Sequence, residues 1–162
     1  MQTSYDYAQP VAVLGLVTED FTKYTDTVIP QVEVKVGKLL TADKTAGKVR
    51  NAATLPAAAA EITKPGAMGI TFLDPTREGC CDEFPASRPI GVIRRGRLWV
   101  LAESAVARWT HPFVRFAAGP GGTELGSFRA DADTASAAEL THAIFLTDAG
   151  AGDLVLVEID LF

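Results

Sequence analysis

The sequence predicts an all-β fold, a small antiparallel barrel or sandwich of about nine short strands. Short runs rich in β-branched and aromatic residues are separated by glycine and proline turn signals. Almost no stretch has the 3.6-residue periodicity of a helix. With 162 residues, 48% hydrophobic and 22% charged, the chain has the composition of one globular domain spanning residues 1–162.

In the N-terminal half, strands are predicted where short apolar runs or period-2 alternation occur. Val11–Val17 is an apolar run too short for a helix, and residues 18–27 are predicted to be an extended loop. Residues 32–36 alternate valine with charged side chains, which predicts a strand with one solvated face. Polar residues 41–51 are expected to form a turn between strands, and Met68–Leu73 another strand.

In the C-terminal half, Ile90–Arg94 and Arg97–Leu101 are expected to be two strands around a tight turn or bulge at Gly96. Leu154–Phe162 places valine, isoleucine and leucine on one face and is predicted to be locked into the core. Further strands are predicted at Phe113–Phe116, Leu125–Phe128 and His142–Thr147. Helix is limited to at most one or two short turns, with 57–60, 103–108 and 131–139 as candidate positions.

Two segments are expected to lie outside the regular sheet. Residues 1–10 form an extended N-terminal arm that carries Tyr5 and Tyr7 and ends at a proline. Residues 74–89 form a long loop that holds three prolines and the adjacent Cys80 and Cys81. Adjacent cysteines seldom bridge each other and lack metal-ligand spacing, so both are expected to be free thiols of a protein made in a reducing cytoplasm.

Charge and hydropathy narrow the classes of partner. The net charge of −5 repels phosphate backbones, so no nucleic-acid partner is expected. The basic cluster of Arg94, Arg95 and Arg97 is too small for a nucleic-acid footprint and more plausibly marks an interface with a partner's carboxylates. No apolar run approaches the length of a membrane span and no signal peptide is visible, so no membrane partner is expected.

Motifs that carry catalysis or bind cofactors were sought and none was found: there is no G-x-S-x-G nucleophile elbow and no glycine-rich phosphate loop. His111 and His142 lie far apart in sequence, and the carboxylate pair Asp131 and Asp133 is expected to be solvated loop charge. No catalytic, cofactor-binding or metal-ligating residue is therefore assigned, and no cofactor is expected. Trp99 lies in an alternating strand, which favours core packing or an interface anchor over a sugar platform.

A family resemblance is carried by segments spread in order along the chain. The run from Ile90 to Val100, I-G-V-I-R-R-G-R-L-W-V, resembles the central "V-x-R-R-G-R-[IL]-W-V" motif of the tailed-phage structural cement, or head decoration, proteins. Residues 69–79 are similar to that family's "G-I-A … D-x-x-R-E-G" stretch, and residues 126–133 to its "G-x-F-R-A-D-A-D" segment. Further similar segments are 11–17, 28–30, 113–115 and 154–161. The chain departs from the family pattern at residues 108–113, where "A-G-D-P-V" is replaced.

The resemblance implies a non-enzymatic virion protein. Such a protein binds the outer surface of the mature bacteriophage head and stabilises contacts between major capsid protein subunits. A homotrimer is expected, with a homodimer as the second possibility. Capsid or oligomer contacts are expected at Tyr5, Tyr7, Arg77, Arg94, Arg95, Arg97 and Trp99.

Two alternatives remain open at this stage. One is another small β-domain virion protein, such as an adaptor or a fibre-associated piece. The other is a cytoplasmic β-barrel that binds a ligand, which would require a large apolar pocket with convergent polar groups.

Overall fold

The computed structural model describes residues 12–18, 22–45, 51–63, 66–73, 83–119 and 123–162. These residues confirm the all-β prediction with twelve strands, and Ala59–Glu61, a 3₁₀ turn, is the helical segment among them. In chain order the strands are β1 Tyr24–Pro30, β2 Val34–Lys35, β3 Leu39–Ala42, β4 Ala52–Thr54, β5 Ala67–Thr71, β6 Glu83–Phe84, β7 Ile90–Leu101, β8 Phe113–Arg115, β9 Phe128–Arg129, β10 Ala137–Glu139, β11 Ala143–Phe145 and β12 Leu154–Asp160.

Five strands form a closed ring. β1 pairs with β4 on one side and with β7 on the other, while β4, β3, β5 and β7 are joined in sequence by antiparallel pairing. The β1–β4 pair is parallel, so the ring departs at one position from a purely antiparallel barrel. Closing a sheet on itself removes the unpaired edges that an open sheet leaves exposed.

The long strand β7 joins this ring to the rest of the molecule. Its C-terminal half pairs with β12, and β11 adds to the far side of β12. A separate three-stranded sheet has the order β10-β8-β9, and β2 pairs with β6 in a two-stranded sheet. Strand β7 therefore belongs both to the ring and to the β7-β12-β11 part of the large sheet. Each of its two faces packs on a different hydrophobic cluster.

Two hydrophobic clusters stabilise the fold. The smaller includes Val28, Leu40, Ile90 and Val92, all at or near 0% exposure, and it lies on the buried side of β1 within the ring. The larger lies on the opposite face of β7 and collects apolar side chains from the other sheets. Its members include Ile93, Leu98, Val114, Phe128, Phe145, Val157 and Ile159. Burial of such side chains is the main favourable contribution to folding.

The N-terminal predictions need correction at two places. The run Val11–Val17 does not form a strand over the part that is described: Gly15 has φ +73, which turns the chain, and Val17 makes only an isolated bridge to Leu98. The predicted loop at 18–27 instead contains the first half of β1. Its threonines suit a half-exposed strand, and pairing with β7 supplies the backbone partners that the local sequence did not reveal.

Within residues 32–45 the prediction was closer. The alternation is confirmed over residues 33–36, where Val34 and Val36 are buried and the charged residues are exposed, but Val32 is exposed and only Val34–Lys35 is paired as a strand. The predicted turn at 41–51 falls between β3 and β4, which pair antiparallel. Strand β3 ends inside that range, at Ala42, and β4 begins directly after it, at Ala52.

The predicted turn within the arginine motif is wrong, because residues 90–101 form one continuous strand. Gly96 adopts φ +141, and partner strands pair with both edges of β7 at Arg95, so the chain stays extended there. A bulge does occur, but two residues before Gly96. Pairing with β1 moves from Tyr24↔Arg95 to Thr25↔Ile93, so Arg94 is the extra residue on β7.

Several short elements differ from prediction. Residues 103–108 hold no helical turn, and Val106 instead bridges to Ala149. The segment 131–139 contains a turn followed by strand β10. Residues 125–126 form a turn, so the predicted strand 125–128 begins only at Phe128. In the predicted loop 74–89, residues 83–84 form strand β6, while 74–82 lie outside the described residues.

The C-terminal strand is confirmed. Val155, Val157, Ile159 and Leu161 are 0–1% exposed, and the intervening residues of β12 are half-buried. The predicted strands at Met68–Leu73, Phe113–Phe116 and His142–Thr147 are also found, each shortened by one or more residues.

Candidate functional site

The arginines of β7 face carboxylates of the neighbouring strands in the same chain. Arg97 Nε donates to Glu158 Oε2 at 2.7 Å, and Arg95 lies 3.2 Å from Asp160, each pair being directly opposite in the β7–β12 register. These side chains are between about a quarter and a half exposed, so each pair contributes only about 0–1 kcal/mol. The arginines thus lie in a mixed-charge surface in which Glu158 and Asp160 offset their charge.

Arg94, the bulged residue, is held differently. Its ion-pair partner among the described residues is Asp26, 3.7 Å away, and its guanidinium carbon lies 5.0 Å from the centroid of the Phe162 ring. Its Nε is buried without a hydrogen-bond partner. The Phe162 ring in turn packs edge-on against Tyr24, with ring centroids 4.7 Å apart.

Tyr24, Arg94 and Phe162 form one surface, here called the aromatic–arginine patch. Tyr24 is 49% exposed and Phe162 is 54% exposed, although both are large side chains that normally bury most of their area. Cation–π and edge-to-face contacts join the three side chains. The patch is an exposed aromatic surface that contains a partly exposed guanidinium.

The other residues singled out from the sequence fall in different places. Trp99 is half-buried in β7, where its backbone N–H donates to Leu16 and its carbonyl accepts from Gly15. Tyr5, Tyr7 and Arg77 lie outside the described residues. The structure therefore brings Arg94, Arg95 and Arg97 onto one strand, and adds Tyr24 and Phe162, which the sequence reasoning missed.

A network of buried charge lies under the three-stranded sheet. Arg115 of β8 is 1% exposed, and its guanidinium contacts Glu103 at 2.7–2.9 Å and Asp133 at 2.5 Å. Arg129 of β9 lies 2.8 Å from Asp133 and 2.8 Å from Asp131. The expectation of solvated loop charge is therefore wrong for Asp133, which binds both buried arginines, whereas Asp131 pairs with Arg129 and remains 66% exposed.

Proton affinities in this network follow from the contacts. The Arg115 hydrogen bond lowers the pKa of Asp133, and the neighbouring charge of Arg129 adds to that effect. The hydrogen bond to Glu103 raises the pKa of Arg115, with a further contribution from Asp133. The sequence signal for this cluster was F-R-A-D-A-D at residues 128–133, in which Arg129, Asp131 and Asp133 alternate.

A second charge cluster lies beside a cleft of about 600 Å³. Glu124 contacts Lys35 Nζ at 2.5 Å and Lys38 Nζ at 2.7 Å, and Lys38 Nζ donates to Ser127 at 2.6 Å. Hydrogen bonding to Lys35, then to Lys38, lowers the pKa of Glu124. The polar groups of this cleft are engaged with one another, unlike the convergent unpaired groups that a small-molecule site presents.

Metal-ligating residues do not cluster in the part of the chain that the structure describes: no group of three or more His, Cys, Asp or Glu side chains could hold an ion there. His111 Nδ1 lies 2.7 Å from the Ala143 carbonyl and covers the edge of β11. Cys80 and Cys81 lie outside the described residues. Among the described residues, no helix is long and apolar enough to cross a membrane.

Comparison with known proteins assigns the chain to a family. The family model described as "Structural cement protein (E217 gp24/Pam3 gp6)" matches residues 1–160. The chain belongs to this family of phage structural cement proteins, which confirms the resemblance found in the sequence. Its role is accordingly structural, as a cement component of a phage capsid.

Of two solved structures aligned with the chain, one shares its fold. A chain in the capsid of Myoviridae phage XM1 has a TM-score of 0.72 and 17% identity, covering 100% of this chain and 99% of that one. The head fibre gp8.5 N base of bacteriophage phi29 has a TM-score of 0.46 and 15% identity, covering 86% and 96%, a similarity too low to indicate a shared fold. No curated protein sequence matches the chain.

Proposed function

We propose that this protein binds the outer surface of the mature phage head and bridges neighbouring major capsid protein subunits without catalysing a reaction. The observation that supports this most directly is the aromatic–arginine patch, an exposed surface of contacting side chains on a protein of the cement family. Tyrosine and arginine are the side chains most enriched among residues that dominate binding energy at protein interfaces. The proposal includes synthesis in the cytoplasm of the host bacterium.

Stabilisation of the capsid by such a protein follows from the coupling between binding and assembly. A protein that binds only the assembled shell stabilises it by mass action, by about 1.4 kcal/mol per site for each tenfold excess over Kd. A symmetric oligomer binds several subunits at once, which raises the effective affinity without any new type of contact. We therefore include a homotrimer in the proposal, with a homodimer as the alternative.

The aromatic–arginine patch is proposed as one part of the contact surface. Its rings are already held by one another and by Arg94, so little side-chain entropy is lost when a partner covers them. The Arg94 side chain is 30% exposed and lies 3.7 Å from the Asp26 carboxylate, so its outer guanidinium nitrogens can donate to a carboxylate or carbonyl of the capsid. Arg95, Arg97 and Trp99 extend the proposed surface along β7.

A binding assay with matched variants tests this placement. Heads that lack the protein are mixed with purified Tyr24→Ala or Trp109→Ala variants, and bound protein is measured after sedimentation. Trp109 is also exposed, at 66%, but lies outside the patch in the turn beside β11, so it controls for the loss of any surface aromatic ring. We expect Tyr24→Ala to weaken binding at least tenfold and Trp109→Ala to change it less than twofold. The reverse order would exclude the patch as the contact.

The N-terminal arm is proposed as the second contact element, with Tyr5 and Tyr7 as anchors, together with the 74–89 loop that carries Arg77. Deletion of residues 1–10 should abolish decoration while the circular dichroism spectrum and the melting temperature stay unchanged. Decoration of heads at the wild-type level by the deleted protein would remove the arm from the proposal.

A role elsewhere in the virion is the second candidate, because small β domains also occur in adaptor and fibre-associated proteins. Separation of heads from tails distinguishes the two: the proposal requires the protein to remain with the heads in many copies. Electron microscopy of the same particles would show which symmetry axis it occupies and its oligomeric state.

A further inference from the structure

The turn that follows β9 has an unfavourable backbone conformation. Asp133, Thr134 and Ala135 have φ values of +41, +55 and +67, so three successive residues with side chains lie in the left-handed region. L-residues avoid this region because Cβ approaches the next carbonyl oxygen, and they visit it as single residues rather than in runs. Such strain persists only where the surrounding structure enforces it.

Two buried guanidinium groups enforce it here. Asp133 Oδ2 receives Arg115 at 2.5 Å and Arg129 at 2.8 Å, and its backbone N–H donates to Asp131 at 3.0 Å. Behind the turn, the amides of Ser136 and Ala137 both donate to the Ala132 carbonyl. The side-chain charge of Asp133 is thus the link between the strained backbone and two arginines that belong to different strands.

We propose that the turn of residues 131–136 is a conformational switch, held closed by the ionised Asp133 carboxylate and released as a local unit when that charge is lost. In the released state the backbone leaves the left-handed region and the Arg115 guanidinium loses one of its two carboxylate partners. The five-stranded ring makes none of these contacts and stays folded. The switch concerns the protein alone and does not depend on the capsid partner proposed above.

The charged groups around Asp133 determine the direction of the response. Arg115 and Arg129 favour its ionised form, whereas Glu103 and Asp131, which share those arginines, disfavour it. Two guanidiniums facing three carboxylates leave one excess negative charge, so the network can accept a proton without leaving a cation unpaired. Because the arginine contacts lower the pKa of Asp133, release occurs in acid, below the ordinary range of an aspartate.

Amide hydrogen exchange measured by NMR tests the switch, since it reports opening residue by residue. The Ser136 and Ala137 amides report the turn, and the amides of Val92 and Val157 report the core. In Asp133→Asn at neutral pH, protection of the turn amides should fall at least tenfold while the core amides stay within twofold of wild type. The matched control is Glu139→Gln, an exposed carboxylate on the adjacent strand β10, which should leave both sets unchanged.

A second variant separates strain from charge. Ala135→Gly permits φ +67 without the Cβ penalty, so it should raise the protection of the turn amides in the wild-type background and restore part of the loss in Asp133→Asn. In the wild-type protein, lowering the pH should reduce protection at Ser136 and Ala137 before it does so at Val92 and Val157. Unchanged turn protection in Asp133→Asn, or an equal loss in turn and core, would overturn the proposal.

Discussion

Replacement of Arg115 by methionine tests how much the buried charge network contributes to stability. The side chain is 1% exposed and its guanidinium binds Glu103 on one side and Asp133 on the other. Methionine fills a similar length without charge, so the two carboxylates remain at a site built for a cation. Arg129 then remains beside Glu103, Asp131 and Asp133, so the cost comes chiefly from three carboxylates facing one guanidinium rather than from lost packing.

The magnitude follows from the burial of those carboxylates. Removal of one partner from a buried ion pair costs about 3–5 kcal/mol. Glu103 is 15% exposed and Asp133 is 35% exposed, so water can partly rehydrate them, which places the expected loss near about 3 kcal/mol. For a domain of this size that loss corresponds to a fall in Tm of about 6–12 °C.

Urea unfolding followed by tryptophan fluorescence measures the effect, with Arg95→Met as the matched control. Arg95 also lies on a strand and pairs with a carboxylate, Asp160, at 3.2 Å, but its side chain is 46% exposed. Its replacement should cost about 0–1 kcal/mol. If the free energies of unfolding of the two variants differ by less than about 1 kcal/mol, burial does not increase the contribution of the Arg115 ion pairs to stability, and the reasoning fails.

Three further predictions concern packing and acid stability. Gly69→Ala should lower the free energy of unfolding by about 2–6 kcal/mol, because φ is +145 and a Cβ would lie 2.7 Å from the Ile93 carbonyl oxygen. The control Gly152→Ala, at φ +84 with no atom within 4 Å of the added Cβ, should lower it by only about 1–2 kcal/mol in the same urea assay. Phe128→Ala, at a fully buried position, should cost about 3–5 kcal/mol, and a loss below about 1 kcal/mol would contradict its place in the core. The lowered pKa of Glu124 adds stability that is fully present above the ordinary carboxyl pKa of about 4 and is lost as the pH falls through the lowered value. Between pH 6 and pH 3, Tm should therefore decline less in Glu124→Gln than in wild type. Parallel declines in the two proteins would refute the assignment.

The features predicted from sequence were those that local pattern encodes. The apolar face of β12 followed from strict alternation at residues 154–161, and pairing with β7 placed that face in the core as expected. The all-β class followed from short β-branched runs and frequent turn signals. The family resemblance came from ordered motifs, which carry information that single-residue chemistry does not.

The errors arose where tertiary pairing decides the local conformation. Residues 90–101 contain a glycine between arginines, a pattern typical of a turn, but strands on both edges hold the chain extended. Tyr24 and Phe162 lie far apart in sequence, so no local pattern could bring them together with Arg94. The contact exists because Tyr24 of β1 and Asp160 of β12 both pair with Arg95, in the middle of β7, and Phe162 follows directly after β12.

The outer strand of an open sheet can pair with another chain through its own backbone. Strand β11 ends the large sheet, and its outer edge would offer free amide and carbonyl groups to any similar strand nearby. Residues 109–111 shield it: Trp109 donates to the Phe145 carbonyl, Phe145 donates to Thr110, and the His111 ring contacts the Ala143 carbonyl. A strand of another chain that approaches this border therefore finds its backbone groups already bonded, which removes one route to fibril growth.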